Sequence, residues 1–135
     1  MGPVFDIGVS LGMHRDPLER QASEARGRRA ETRAAEALAA EGFAEIARRV
    51  RTGAGEIDLI VERDGLVVFV EVKARATLGE AAVALGARQR ARLLAAGGAW
   101  LAANPAFGAA GVRFDLLLVD TAGRVRRIQD VIREW

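Results

Sequence analysis

The chain has 135 residues, half of them hydrophobic and 28% charged, with no Cys, no Tyr and one His. That is the composition of a single globular domain. It excludes disulfides, thiolate metal sites, cysteine nucleophiles and multi-histidine zinc sites. Lys and Arg number 20 against 18 Asp and Glu, a net charge of +2, yet the sequence pI is about 10.3. The two values agree because all the basic residues but Lys73 are Arg, which does not titrate in the accessible range. No run is long and apolar enough to suggest a membrane span. Nothing in the first twenty residues reads as a secretory signal, so the cytoplasm is the expected compartment.

Residues 1–16 mix Gly, Pro and isolated hydrophobics without a period and read as a flexible tail; 17–135 read as one domain. Residues 17–42 are dense in Ala, Glu, Arg and Leu, which predicts a helix stopped by Gly42. Ala30, Ala34, Ala37 and Leu38 make a narrow apolar stripe, and Glu31 borders it. Residues 43–50 read as a weak strand. Residues 55–62 alternate, placing Ile57, Leu59 and Val61 on one face and Glu56, Asp58 and Ile60 on the other. Asp64-Gly65 signals a hairpin. The apolar run 66–73 reads as a central strand buried on both faces and ending in charges. Residues 86–103 predict a second helix, weakened by Gly97 and Gly98 and stopped at Asn104-Pro105. Residues 112–119 are a further strand, and 124–133 a last strand or a short helix. The fold class is α/β or α+β, one sheet with helices packed on it, in the order α-β-β-β-α-β and then that last element.

Glu71 and Lys73 are two apart on the most hydrophobic strand, so they share a face. Buried charges there need partners. A turn centred on residues 64 and 65 sets Asp58 opposite Glu71. Facing carboxylates repel unless a cation neutralises them, and with main-chain carbonyls they form a hard-oxygen site suited to Mg²⁺ or Mn²⁺. Lys73 is the one Lys in an Arg-rich chain, and Lys differs from Arg where a compact ammonium must hold or deprotonate a water. An ion pair between Lys73 and a carboxylate is the structural alternative. Clusters at Arg26, Arg28, Arg29 and Arg33, at Arg48, Arg49 and Arg51, and at Arg88, Arg90 and Arg92 suit phosphate contacts; a solvated arginine-rich surface is the alternative. The six Ser and Thr residues offer no triad nucleophile beside His14.

Asp58 followed by Glu71-Val72-Lys73 resembles the PD-(D/E)XK nuclease superfamily. The order helix with Glu, then Asp, then Glu-x-Lys is similar to the archaeal Holliday junction resolvases within it. Gly27-x-x-Ala30-Glu31-x-x-Ala34, Gly42-Phe43, Arg51, Gly55 to Ile60, Phe69 to Lys73 with Arg75, Arg92-Leu93, Trp100-Leu101 and Arg113-Phe114-Asp115 together resemble the YraN-like family of small bacterial proteins. These segments cover about residues 24–120.

The resemblance implies a restriction-endonuclease-like core, a mixed central sheet flanked by helices. It implies a metal-dependent endonuclease acting on DNA, including branched or repair intermediates. Asp58 and Glu71, with the main chain of Val72, would hold Mg²⁺ or Mn²⁺; Lys73 would activate water; and Glu31 would be a further ligand or water holder. Gln89 aligns where many relatives carry Lys and could hydrogen-bond a phosphate. Arg28, Arg29, Arg51 and Arg75 are expected to form one positive surface around the carboxylates. A nucleic-acid binding module without turnover is the alternative, and a homodimer is left open.

Overall fold

The computed structural model describes residues 16–78 and 85–132. Helix α1 spans Pro17–Ala40; strands β1, β2 and β3 span Ala44–Thr52, Gly55–Arg63 and Leu66–Ala74; helix α2 spans Ala87–Ala103; β4 spans Val112–Val119 and β5 Val125–Ile128. Of the expected tail, residues 1–16, residues 1–15, and His14 with them, lie outside the described residues. Asp16 is not tail: it is the α1 N-cap, its carboxylate accepting from the Glu19 N–H at 2.9 Å, with Pro17 opening the first turn. At the other end the Phe43 N–H bonds back to the Leu38 carbonyl and Gly42 N–H to Ala39, closing the helix just where β1 must leave.

The five strands run in the order β1-β2-β3-β4-β5. The first three form an antiparallel meander, α2 crosses over to place β4 parallel to β3, and β5 returns antiparallel to β4. The sheet is therefore mixed, and the undecided last segment is a strand because its residues complete the exposed edge of β4. The β2–β3 register, Leu59 with Val70 through Arg63 with Leu66, is the one expected from the turn. Asp64 (φ 50°) and Gly65 (φ 84°) both take the positive φ of a tight hairpin turn.

Each face of the sheet carries one helix. Ala30, Ala34 and Leu38 of α1, with Phe43, pack on Leu59, Val61, Val68, Val70, Leu117 and Val119. Leu93, Ala96 and Trp100 of α2 pack on Ile57, Ile60, Val67, Phe69, Phe114, Leu116 and Leu118. Val67 to Val70 are wholly buried, as a central strand covered on both faces requires. Gly97 has a packing role in α2. It lets the helix lie on the sheet, since a Cβ there would come 2.9 Å from Phe114 and 3.1 Å from Phe69. Among the described residues no helix is long and apolar enough to cross a membrane.

One expectation is overturned. Ile57 does not share a face with Leu59 and Val61; it joins Ile60 under α2. The two-residue alternation of β2 breaks at Asp58. The same break occurs in β1, where Ala47 and Val50, three apart, both pack toward α2. Between them Arg49 has φ 54°, the left-handed region that a non-glycine residue rarely adopts. The paired distortion rotates both strands at one level of the sheet.

Candidate functional site

That level carries the charged residues. The ladder between β2 and β3 runs to Leu59 and Val70, and the next residues in register are Asp58 and Glu71. With Ile57 and Leu59 facing opposite ways, the Asp58 side chain turns sideways toward β3. There its Oδ2 accepts the Val72 N–H at 2.8 Å. Burial pushes the Asp58 carboxyl up to about 7; the Glu71 charge and a hydrogen bond with the Glu71 carboxyl push the same way, and the Val72 N–H opposes them. The two carboxyls thus face each other within hydrogen-bonding reach. On an extended strand N–H and C=O of one residue leave on the same side, so the Val72 carbonyl is directed to the Asp58 side as well.

Strand alternation puts Glu71 and Lys73 on the α2 face, because Phe69 lies there while Val70 and Val72 pack toward α1. The Lys73 ammonium stands 3.7 Å from Glu71 Oε2, and both side chains are largely buried. The Asp58 carboxyl thus meets that of Glu71, and Glu71 in turn meets the Lys73 ammonium.

Glu31 approaches from the other side. It is 7% exposed and points from α1 to the sheet, as its place on the apolar stripe requires. Its immediate partner is Arg49, whose Nε donates to Glu31 Oε1 at 2.8 Å. That bond raises the Arg49 guanidinium above its ordinary range, burial opposes it, and the charges of Glu31, Glu56 and Asp58 add to it. Register places Arg49 across from Asp58, since Arg48 pairs with Leu59 and Val50 with Ile57. Sequence reasoning missed Arg49 as the link between Glu31 and the pair of carboxylates. The signal was present: a hairpin centred on Gly53-Ala54 sets residue 49 against 58.

The donor set fits a hard divalent cation. It offers two mutually repelling carboxyls, that of Asp58 pushed up to about 7, beside main-chain oxygen. Among the described residues no third carboxylate or His converges with Asp58 and Glu71. Glu31 is held by Arg49.

The expected positive surface is rearranged. Arg29 and Arg75 line one cavity of about 630 Å³, together with Arg26 and Arg33, between α1, the end of β3 and the β4–β5 turn. Arg28 lies on an adjoining groove with Arg29. None of Asp58, Glu71 and Lys73 lines the cavity, so it does not surround the carboxylates. Its arginines belong to α1 and to the chain beyond β3, whereas Glu71 and Lys73 lean toward α2. Arg51 is separate, paired with Glu56 at 3.2 Å where β1 turns into β2, with both side chains exposed. Gln89 is occupied as a helix cap: its Oε1 accepts the Gly86 N–H at 3.3 Å, so the oxygen serves the start of α2.

Buried carboxylates elsewhere are structural. Asp115, wholly buried, accepts from Arg113 Nε and Nη2, each at 2.9 Å, and from the Asp130 N–H, tying β4 to the chain after β5. Burial alone would raise Asp120, but the Arg124 N–H and guanidinium and the Ala122 N–H outweigh it and hold the carboxyl low.

Comparison with known proteins adds a family. The model of the uncharacterised protein family UPF0102 matches residues 30–119, which include α1 from Ala30, the meander, α2 and β4. A UPF0102 protein of Granulibacter bethesdensis is 58% identical over 92 residues, 68% of this chain and 58% of that protein. The chain thus spans less than two thirds of that relative. UPF0102 proteins of Azorhizobium caulinodans (46% identical over 110 residues, 82% of this chain and 84% of the relative) and Acidiphilium cryptum (46% over 119 residues, 88% and 92%) match along most of their length. The chain belongs to the UPF0102 family, the YraN-like family that its motifs resemble.

Proposed function

We propose that the protein is a Mg²⁺- or Mn²⁺-dependent nuclease that hydrolyses phosphodiester bonds in DNA, on a restriction-endonuclease-like core. The observation that carries the reading is the meeting of the Asp58 and Glu71 carboxyls where the β2–β3 ladder ends, with Lys73 beside them. An ion pair needs one carboxylate for one ammonium. Here a second carboxyl is buried against the first, and its repulsion has no structural use unless a cation enters.

In this reading Asp58, Glu71 and the Val72 carbonyl hold the metal, which when bound offsets the charge that builds on the phosphodiester. Lys73 donates hydrogen bonds from its ammonium to the attacking water and fixes its approach to phosphorus. Glu71 keeps that ammonium in place. The apolar side chains under α2 exclude bulk water from one side of the pair, which strengthens each interaction there. Glu31 joins only when it leaves Arg49, and Arg49 is then free to pair with a phosphate oxygen. Arg28, Arg29, Arg51 and Arg75 supply longer-range attraction to the nucleic-acid backbone.

A second reading is a nucleic-acid binding module without turnover. It is favoured by the pairs Lys73–Glu71 and Arg49–Glu31, which satisfy two of the three carboxylates without metal. The experiment that separates the two presents junction, flap, single-stranded and duplex DNA with Mg²⁺ or Mn²⁺ to the wild-type protein and to Asp58→Ala. Cleavage by the wild type alone supports the nuclease. Equal DNA binding by both with no cleavage supports the module.

A further inference from the structure

The cavity between α1 and the β4–β5 turn is separate from the carboxylate pair, and its lining has its own logic. Arg26, Arg29 and Arg33 stand at i, i+3 and i+7 on α1, one aligned row beside the buried Ala30. Arg75 faces them from just beyond β3, two residues past Lys73. Like charges so spaced on a helix repel. The carboxylate on the lining, Asp120, is already bonded to Arg124 and to two N–H groups. Among the described residues Arg26 and Arg29 make no hydrogen bond or ion pair.

The walls are fixed. The Arg33 Nε donates to the Gly123 carbonyl at 2.7 Å and staples α1 to the β4–β5 turn. The Arg75 N–H bonds the Val119 carbonyl at 2.9 Å, which carries the β3–β4 pairing past the end of β3. The cavity therefore lies at the carboxyl ends of the two parallel strands, where open α/β sheets place their ligands. Its volume, about 630 Å³, is that of a small-molecule site and exceeds what a bare oxyanion fills. Ala30, Ala74 and Val119 give it an apolar floor under the guanidinium rim.

We propose that this cavity binds the phosphomonoester of a nucleotide, with Arg26, Arg29 and Arg75 on the phosphate oxygens and the nucleoside against the apolar floor. The proposal rests on the nucleic-acid reading above and deepens it, because it makes the protein a reader of phosphorylated strand ends. A free mononucleotide presents the same chemistry. A dianionic phosphate is favoured over the diester of an internal linkage because it offers three terminal oxygens to converging guanidinium forks.

The test measures binding in EDTA, where no cleavage occurs. Short fluorescein-labelled DNA oligonucleotides carrying 5′-phosphate, 3′-phosphate or hydroxyl ends are compared by anisotropy with the wild type and with Arg26→Gln/Arg29→Gln. Both replaced side chains are exposed and have no partner among the described residues, so the fold is expected to survive; a circular dichroism melt checks it. The wild type should bind one phosphorylated end about tenfold more tightly than the hydroxyl end, as loss of a charge-assisted bond implies. The double variant should bind both equally. Competition by a mononucleotide but not by its nucleoside would identify the free nucleotide as a ligand of the same site and supports the proposal. Equal wild-type affinity for all ends, with no competition by mononucleotide, overturns it, as does a preference that survives in the double variant. Cleavage with no end preference would remove this inference and leave the nuclease; end preference without cleavage would do the reverse.

Discussion

Replacing Asp58 by Asn should stabilise the metal-free protein, and the gain should depend on pH. An ordinary Asp titrates near 3.8, and in the folded protein burial and Glu71 push Asp58 up to about 7. A raised carboxyl contributes stability that is full below the unfolded value and is lost as pH rises through the folded one. Stability of the wild type therefore falls between about pH 4 and pH 7 and is level above. At about 1.4 kcal/mol per unit, the full difference is worth at most about 4 kcal/mol. The carboxyl is only half-buried, and solvent screening reduces the figure to about 2 kcal/mol. Asn does not titrate. Its oxygen can still accept the Val72 N–H, and its NH₂ can donate to Glu71, so the geometry is kept while the repulsion goes. Thermal melts in EDTA should give coinciding midpoints at pH 4, and a midpoint higher by roughly 6–8 °C for Asp58→Asn at pH 8. A variant less stable than wild type at pH 8, or a difference independent of pH, would refute the account of a strained carboxyl pair.

Lys73→Arg should lower cleavage by about 10² to 10⁴ while leaving the melting midpoint and DNA affinity near wild type, because charge is kept and the compact ammonium is lost. Equal cleavage rates would remove Lys73 from the chemistry. Arg49→Ala should destabilise by about 1–2 kcal/mol, read from denaturant melts, because it leaves the Glu31 carboxylate buried without its partner; an unchanged midpoint would show that Glu31 needs no cation. Gly97→Ala should destabilise by about 1–3 kcal/mol through its clash with Phe114 and Phe69. Gly98→Ala, which meets open space one residue on, should stabilise by about 0.5–1 kcal/mol. The opposite order of the two midpoints would contradict the packing described for α2.

The regular part of the fold was legible because its signals are local. Ala30, Ala34 and Leu38 mark a helix face through their spacing, Asp64-Gly65 fixes a hairpin, and the hairpin fixes the pairing that sets Asp58 beside Glu71. The same locality explains the misses. The alternation rule assigns Ile57 to the wrong face because nothing in residues 55–62 announces the positive φ of Arg49 on the neighbouring strand. Gly97 and Gly98 look alike in sequence, and only the rings of Phe69 and Phe114 distinguish them. The arginines were visible as clusters, but their grouping depends on which element carries them. Arg75 meets Arg29 across the end of the sheet, while Arg51, in a cluster with Arg49, turns outward to Glu56. Gln89 caps the start of α2 through its oxygen, a local role that leaves its NH₂ available as a donor.

We propose that Asp58 and Glu71 form a divalent metal centre. It is tested most directly by titrating Mn²⁺ or Mg²⁺ calorimetrically into the metal-free protein, in two buffers of different ionisation enthalpy. Because the Asp58 carboxyl lies at about 7 without a cation, binding at pH 6 should expel a proton and the heat should depend on the buffer. At pH 8.5 the buffer dependence should vanish while binding tightens, and Asp58→Asn should show neither heat nor proton release. Absence of binding at both pH values, or equal binding by Asp58→Asn, would contradict the claim.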